Sequence, residues 1–222
     1  LLNNNNNNEE KFNDNENQQP TNMIGIYIKQ LTRSDIDKID GSLKQGIDSL
    51  MKGAYYYPHC VCQEKDYTYF NNITNELEQS EEFKIIPWSK HYKIENPTFS
   101  KTFNKIIDII SNIFNVTVCE TRLNLYKNQH DYKPLHHDSH AYGTSNNIRE
   151  DFTIGISLGA SRELLFVHEV SNNGFKFPQK NGDIFAFDKN VNKEFLHGVP
   201  KSNQYVGSRI SIIAWCKRKE TN

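Results

Sequence analysis

The apolar residues of this chain change period near residue 116. Upstream they recur at helical spacing. Over residues 100–114, Phe103, Ile106, Ile107, Ile110 and Ile113 share one helical face, while Lys101, Asn104, Lys105, Asp108 and Ser111 take the other. Pro97 just upstream suits a helix entry. Residues 32–52 carry a weaker helical pattern, interrupted by Gly41 and Gly46. Residues 66–79 also predict a helix, with Asp66 as its cap. The run Met23-Ile24-Gly25-Ile26-Tyr27-Ile28 is short, apolar and β-branched, and it predicts a strand.

Downstream the runs are short or alternating and are broken by turn residues such as Asn173-Gly174 and Asn181-Gly182. Strands are expected near 118–127, 133–138, 152–159, 163–169, 174–178, 183–187, 193–198 and 206–216. Short strands at this density predict a sandwich or jelly roll and argue against a βαβ sheet. The fold class is therefore mainly β with flanking helices. Three parts follow: an extension over 1–22, a helical and strand-forming part over 23–115 that packs on the core, and the core over 116–219.

Composition refines this outline. Residues 1–22 are Asn-rich and almost free of apolar side chains, so they cannot bury enough surface to offset their ordering entropy, and they predict a disordered extension. The remainder of the 222 residues is long enough to bury a sizeable core. A net charge of −1 provides no whole-protein field toward nucleic acid or anionic lipid. No apolar run approaches the ~18 residues of a membrane span. Cys60, Cys62, Cys119 and Cys216 form neither a CxxC pair nor a disulfide framework. They read as reduced thiols in the cytoplasm or nucleus.

The candidate chemistry lies in the core. His136-x-Asp138 falls on an expected strand, where residues two apart share a face. Strand parity thus groups His136 with Asp138 and turns His137 away. His197 lies on a later expected strand, which a jelly roll can bring to the same interior. Two imidazoles and a carboxylate can occupy one face of an octahedral ion and leave positions open, as in non-heme Fe(II) oxygenases. Further on, Arg209 and Ser211 share a face within an apolar run. An arginine there is costly without an anionic partner, and its planar fork matches a carboxylate. Asn124 and Tyr126 share a face on the strand before His136, and each can donate to a carboxylate.

These four ordered motifs, spread over about residues 121–215, resemble the 2-oxoglutarate- and Fe(II)-dependent dioxygenases, most closely the AlkB-like branch. The resemblance implies a double-stranded β-helix, that is, a jelly-roll core. It implies Fe(II) held by His136, Asp138 and His197, with 2-oxoglutarate as co-substrate and dioxygen as the other reactant. The distal carboxylate of 2-oxoglutarate would pair with Arg209, helped by Tyr126 and Ser211. Asn124 would lie near the carboxylate beside the keto group. The implied outcome is hydroxylation or oxidative demethylation of a nucleic-acid or protein substrate. A small metabolite as substrate, or a cupin-like metal-binding module without turnover, is the alternative. One departure stands out. AlkB-type demethylases carry a second arginine six residues after the first, and Trp215 occupies that position here.

Other polar residues read more simply. His140 falls in an expected loop, and Arg149, Glu150 and Asp151 form a solvated charge run. Tyr55, Tyr56 and Tyr57 either line a substrate groove or form a half-buried strand.

Overall fold

The computed structural model describes residues 19–32, 41–79, 91–138 and 150–219. The extension as far as residue 18, His140 and Arg149 lie outside the described residues. The helices are α1 (Ile24–Thr32), α2 (Gly41–Gly53), α3 (Thr68–Glu78), α4 (Lys101–Phe114) and α5 (Lys189–Glu194). The strands are β1 (Ala54–Tyr57), β2 (Tyr92–Glu95), β3 (Val116–Tyr126), β4 (Lys133–His136), β5 (Phe152–Gly159), β6 (Arg162–His168), β7 (Gly174–Gln179), β8 (Ile184–Asp188), β9 (Phe195–Val199) and β10 (Arg209–Arg218). They form two antiparallel sheets, a six-stranded one in the order β1-β8-β5-β10-β3-β2 and a four-stranded one in the order β4-β9-β6-β7. This is the two-sheet jelly roll that the short downstream strands predict.

The six-stranded sheet has two unlike faces. Its outer face presents Ile154, Ile156, Ile184, Ile210, Ile212 and Ala214 to α3 and α4, and together these make one apolar core. Helix α4 contributes the predicted stripe, with Phe103, Ile106 and Ile110 fully buried. Ser100 caps it by accepting a hydrogen bond from Phe103 N at 3.0 Å, and left-handed Asn115 ends it. The inner face looks across to the four-stranded sheet. At the β1–β8 side that gap is filled by Phe166, Phe177, Phe185, Phe187 and Phe195. At the β3–β10 side it opens into a cavity.

Two sequence expectations change, and one open alternative is decided. The run at 23–28 is helical, not extended. Alternation would put Ile24, Ile26 and Ile28 on one face, yet Ile24 and Ile28 are 2% and 1% exposed while Ile26 is 52% exposed. Helical spacing lets Ile24 and Ile28 reach the aromatic cluster, and Asn22 Oδ1 accepts from Ile24 N at 3.0 Å to start the turn. The tyrosine run forms strand β1, in register with β8, and does not line the cavity. Tyr56 donates its hydroxyl to buried Asp183 at 2.7 Å. Finally, residues 193 and 194 end helix α5, because the Asp188 carboxylate accepts from Asn190 N and Val191 N and turns the chain there.

Candidate metal and carboxylate site

Strands β4 and β9 bring the two histidines together. His136 and His197 are direct cross-strand partners, with ring centroids 4.4 Å apart. Gly198 permits the close approach, since a Cβ there would sit 2.7 Å from the Lys133 carbonyl oxygen. Asp138 lies just beyond the end of β4, so strand alternation alone does not aim it. Asn192 of α5 grips its backbone instead. The Asn192 amide oxygen accepts from Asp138 N at 3.0 Å, and its amide nitrogen donates to the Asp138 carbonyl at 3.1 Å. His137 turns away from the cluster, and its Nδ1 bonds to the Asn192 carbonyl.

The ligand atoms converge. Asp138 Oδ1 is 3.6 Å from His136 Nε2 and 3.5 Å from His197 Nε2. Among the described residues this is the one group of three or more His, Cys, Asp or Glu side chains with donor atoms within 4.8 Å of one another. The Pro134 carbonyl, 2.9 Å from His136 Nδ1, can only accept, so Nδ1 carries the proton and Nε2 presents its lone pair. Thr153 Oγ1 donates to Asp138 Oδ2 at 3.1 Å and leaves Oδ1 to the cluster. Burial would raise the Asp138 pKa, but His197 and His136 outweigh it and hold the carboxyl well below its usual range. Burial pushes His197 below its usual value and keeps its ring neutral. An ionised carboxylate beside a neutral imidazole is the protonation state that a divalent ion requires. The donor set fits such an ion.

A second group lies in the same cavity. Arg209 and Ser211 on β10 are in register with Tyr126 and Asn124 on β3, so all four face inward. The cavity of about 630 Å³, open mouth included, is lined by these four residues and by His136, Asp138 and His197. Arg209 is 2% exposed. Its Nε donates to Ser157 Oγ at 2.9 Å, and its guanidinium carbon sits 5.2 Å over the Tyr126 ring. Its Nη1 has no hydrogen-bond partner among the described residues. Burial pushes its pKa down to about 10, so it stays charged at neutral pH. Burial raises the Tyr126 phenol against the pull of Arg209 and Arg162, so the hydroxyl keeps its proton. A buried cation with an idle donor is costly, and an entering carboxylate would offset that cost.

No family model matches the chain, and no curated protein matches it. Solved structures do. A prolyl-4-hydroxylase from Pseudomonas putida superposes with TM-score 0.54 at 12% identity, covering 78% of this chain and 97% of that one. A 2OG-Fe(II) oxygenase family oxidoreductase from Burkholderia pseudomallei gives 0.53 at 14%, covering 81% and 91%. OsALKBH1 gives 0.52 at 13%, covering 73% and 96%. The chain has the fold of these oxygenases.

Within that fold, several residues that line or support the cavity carry no motif in the sequence. His91 is buried next to Asn124 and Tyr126. Its Nε2 lies 3.1 Å from Asn124 Oδ1, and its ring stacks on Tyr126 at 5.0 Å. Ser157 and Thr153 share the inward face of β5, and alternation from a known strand would have pointed to both. Asn192 had no signal, because its role depends on a helix that the sequence pattern did not reveal.

Proposed function

We propose that this chain is a 2-oxoglutarate- and Fe(II)-dependent dioxygenase of the AlkB-like kind. One observation carries the reading: a single cavity holds a His–Asp–His cluster and, on a facing strand, a buried arginine with an unpaired nitrogen. A metal-binding module without turnover has no need of the second feature. The jelly-roll fold shared with 2OG-Fe(II) oxygenases supports the same reading.

His136, Asp138 and His197 hold Fe(II) in this account. Arg209, Tyr126 and Ser211 receive the distal carboxylate of 2-oxoglutarate, and Asn124 lies near the carboxylate beside the keto group. Iron, 2-oxoglutarate and dioxygen together supply the oxidising chemistry, which releases succinate and carbon dioxide and hydroxylates a substrate C–H bond. The protein's own residues bind, orient and exclude water. Thr153 and the Pro134 carbonyl fix which atoms of Asp138 and His136 face the ion. Arg209 neutralises the far carboxylate without a flexible search, because Ser157 and Tyr126 hold its guanidinium. Leu164, Phe185 and Phe187 keep part of the cavity wall dry. This chemistry needs no side chain as a general base.

The AlkB-like assignment rests on Asn124-x-Tyr126 in order with the later motifs, the Arg209-x-Ser211 form being common across the wider superfamily, and with it we read the substrate as nucleic acid or protein. Trp215 in place of a second arginine favours a second reading, an oxygenase of a small metabolite. The test of the shared chemistry is succinate release from 2-oxoglutarate with Fe(II). The wild-type protein should turn over slowly without substrate and faster with it. Asp138→Ala should release none above background; wild-type-like release from that variant would refute the site.

A further inference from the structure

Gly155 stands where the fold gives no reason for a glycine. It lies inside β5, which runs in unbroken antiparallel register with β10 and β8, opposite Ile213 on one and Phe185 on the other. Its φ is not positive, unlike that of Gly159. Among the described residues, a Cβ added at Gly155 would meet only Ile213 Cδ1 at 3.4 Å and the Phe185 carbonyl oxygen at 3.5 Å. Both are ordinary contact distances, so the packing does not demand a bare backbone here as it does at Gly198. A glycine inside a strand costs stability relative to alanine. Where no bulge explains it, it marks a place where another group approaches the backbone closely.

The place is on the route between the two ends of the cavity. Residues two apart on a strand share a face, so Gly155 faces inward with Thr153 and Ser157. Thr153 Oγ1 donates to Asp138 and supports the metal end. Ser157 Oγ accepts from Arg209 Nε and supports the carboxylate end. Gly155 lies midway between them and lines the cavity with Ile213 and Phe185. It is half-buried, while Thr153, Ile154, Ile156 and Ser157 around it are buried. Its bare backbone is therefore open to the cavity. A ligand that joins the His–Asp–His cluster to Arg209 passes over it. The polar groups of that ligand are held at the two ends, so Gly155 meets the carbon chain between them.

We propose that Gly155 is a specificity-determining residue: the space over its backbone sets how much bulk the ligand can carry between its two carboxylates. For the ligand's identity, a 2-oxo dicarboxylate, this role rests on the oxygenase reading above. The space is the size of a methyl group, because a Cβ fits it at contact distance. The cavity thus accepts a 2-oxo dicarboxylate with a methyl branch on its chain as well as the unbranched acid. A side chain at position 155 competes with that branch for the same room. The discrimination is steric and leaves the charged partners at both ends in place.

The test uses the whole chain loaded with Mn(II), titrated by calorimetry with 2-oxoglutarate, 3-methyl-2-oxoglutarate and 4-methyl-2-oxoglutarate. The wild type should bind 2-oxoglutarate and at least one methyl acid, with affinities within about tenfold of each other. Gly155→Ala should weaken that methyl acid by about tenfold or more, the size of an overpacking penalty, and 2-oxoglutarate by less. Gly155→Val should weaken both. Gly155→Ala should also melt at or above the wild-type temperature, because alanine suits this backbone and restricts the unfolded chain. A glycine that served only the fold would instead give a lower melting temperature and equal weakening of all the acids. Either of those results for Gly155→Ala overturns the role. So does a folded Gly155→Val protein that binds all three acids like the wild type, or a wild type that binds 2-oxoglutarate but neither methyl acid. The oxygenase reading survives each of these outcomes, because the wild type still binds 2-oxoglutarate. If the wild type binds no 2-oxoglutarate, that reading falls and the role of Gly155 falls with it.

Discussion

The two faces of the six-stranded sheet differ although they are built from the same strands. On β10, Ile210, Ile212, Ala214 and Cys216 join the apolar core under the helices. Between them, Arg209, Ser211, Ile213 and Trp215 face the cavity. The outer face stabilises the fold. The inner face near β3 and β10 instead holds buried Arg209, whose Nη1 has no hydrogen-bond partner among the described residues. Strand alternation keeps the two tasks one residue apart, so stability and chemistry can be changed separately.

The largest stability effect belongs to the outer face. Ile212→Ala should cost about 2–5 kcal/mol, read as a lower denaturation midpoint, because no neighbour can fill the space. Arg209→Met on the inner face should do the opposite. It removes an incompletely paired buried cation, so the ligand-free protein should be unchanged or gain about 1–4 kcal/mol. Its affinity for 2-oxoglutarate should nevertheless fall by an order of magnitude or more. A large stability loss in Arg209→Met would erase the distinction between the faces.

A smaller effect is expected from the support of the metal ligands. Asn192→Ala should weaken Mn(II) or Co(II) binding about 10–100-fold in a direct titration, since it frees the backbone of Asp138. Unaltered metal affinity would show that Asp138 is positioned by other contacts.

The smallest effect is pH dependence. His197 has a folded pKa below 6.5, and Asp138 one below 3.8. In both cases the unfolded chain binds the proton more readily, so each makes the metal-free protein less stable as pH falls. The His197 contribution sets in as pH drops through 6.5, and that of Asp138 only below 3.8. Metal binding shares the sign, because protons compete for the same atoms. His197→Phe should flatten the upper step, measured as the denaturation midpoint between pH 7 and 5.

The sequence was most legible where period and face coincide. The stripe of α4 is a strong helical signal, and the downstream strands are short with clear turns, so both are readable without tertiary information. The run at 23–28 was not, because six residues of methionine, isoleucine, glycine and tyrosine satisfy both periods until the aromatic cluster selects one. At the site, His136, Asp138, His197, Asn124, Tyr126, Arg209 and Ser211 were named from strand alternation and the family resemblance, and they line one cavity. What spacing did not convey was the support. Asp138 is past the end of its strand, and its position depends on Asn192, which is distant in sequence. Arg122 carried no motif either, because its placement over Trp215 depends on the pairing of β3 with β10. Such partners become visible only once strand register is known.

The central claim is that the cavity between the two sheets holds a divalent ion and a dicarboxylate together. A crystal structure with Mn(II) and a 2-oxoglutarate analogue tests it most directly. The account predicts the ion on Nε2 of His136 and His197 and on Asp138 Oδ1, with the distal carboxylate within hydrogen-bond distance of Arg209 Nη1. An ion at that cluster with the analogue bound elsewhere, or Arg209 left without an anionic partner, would contradict it.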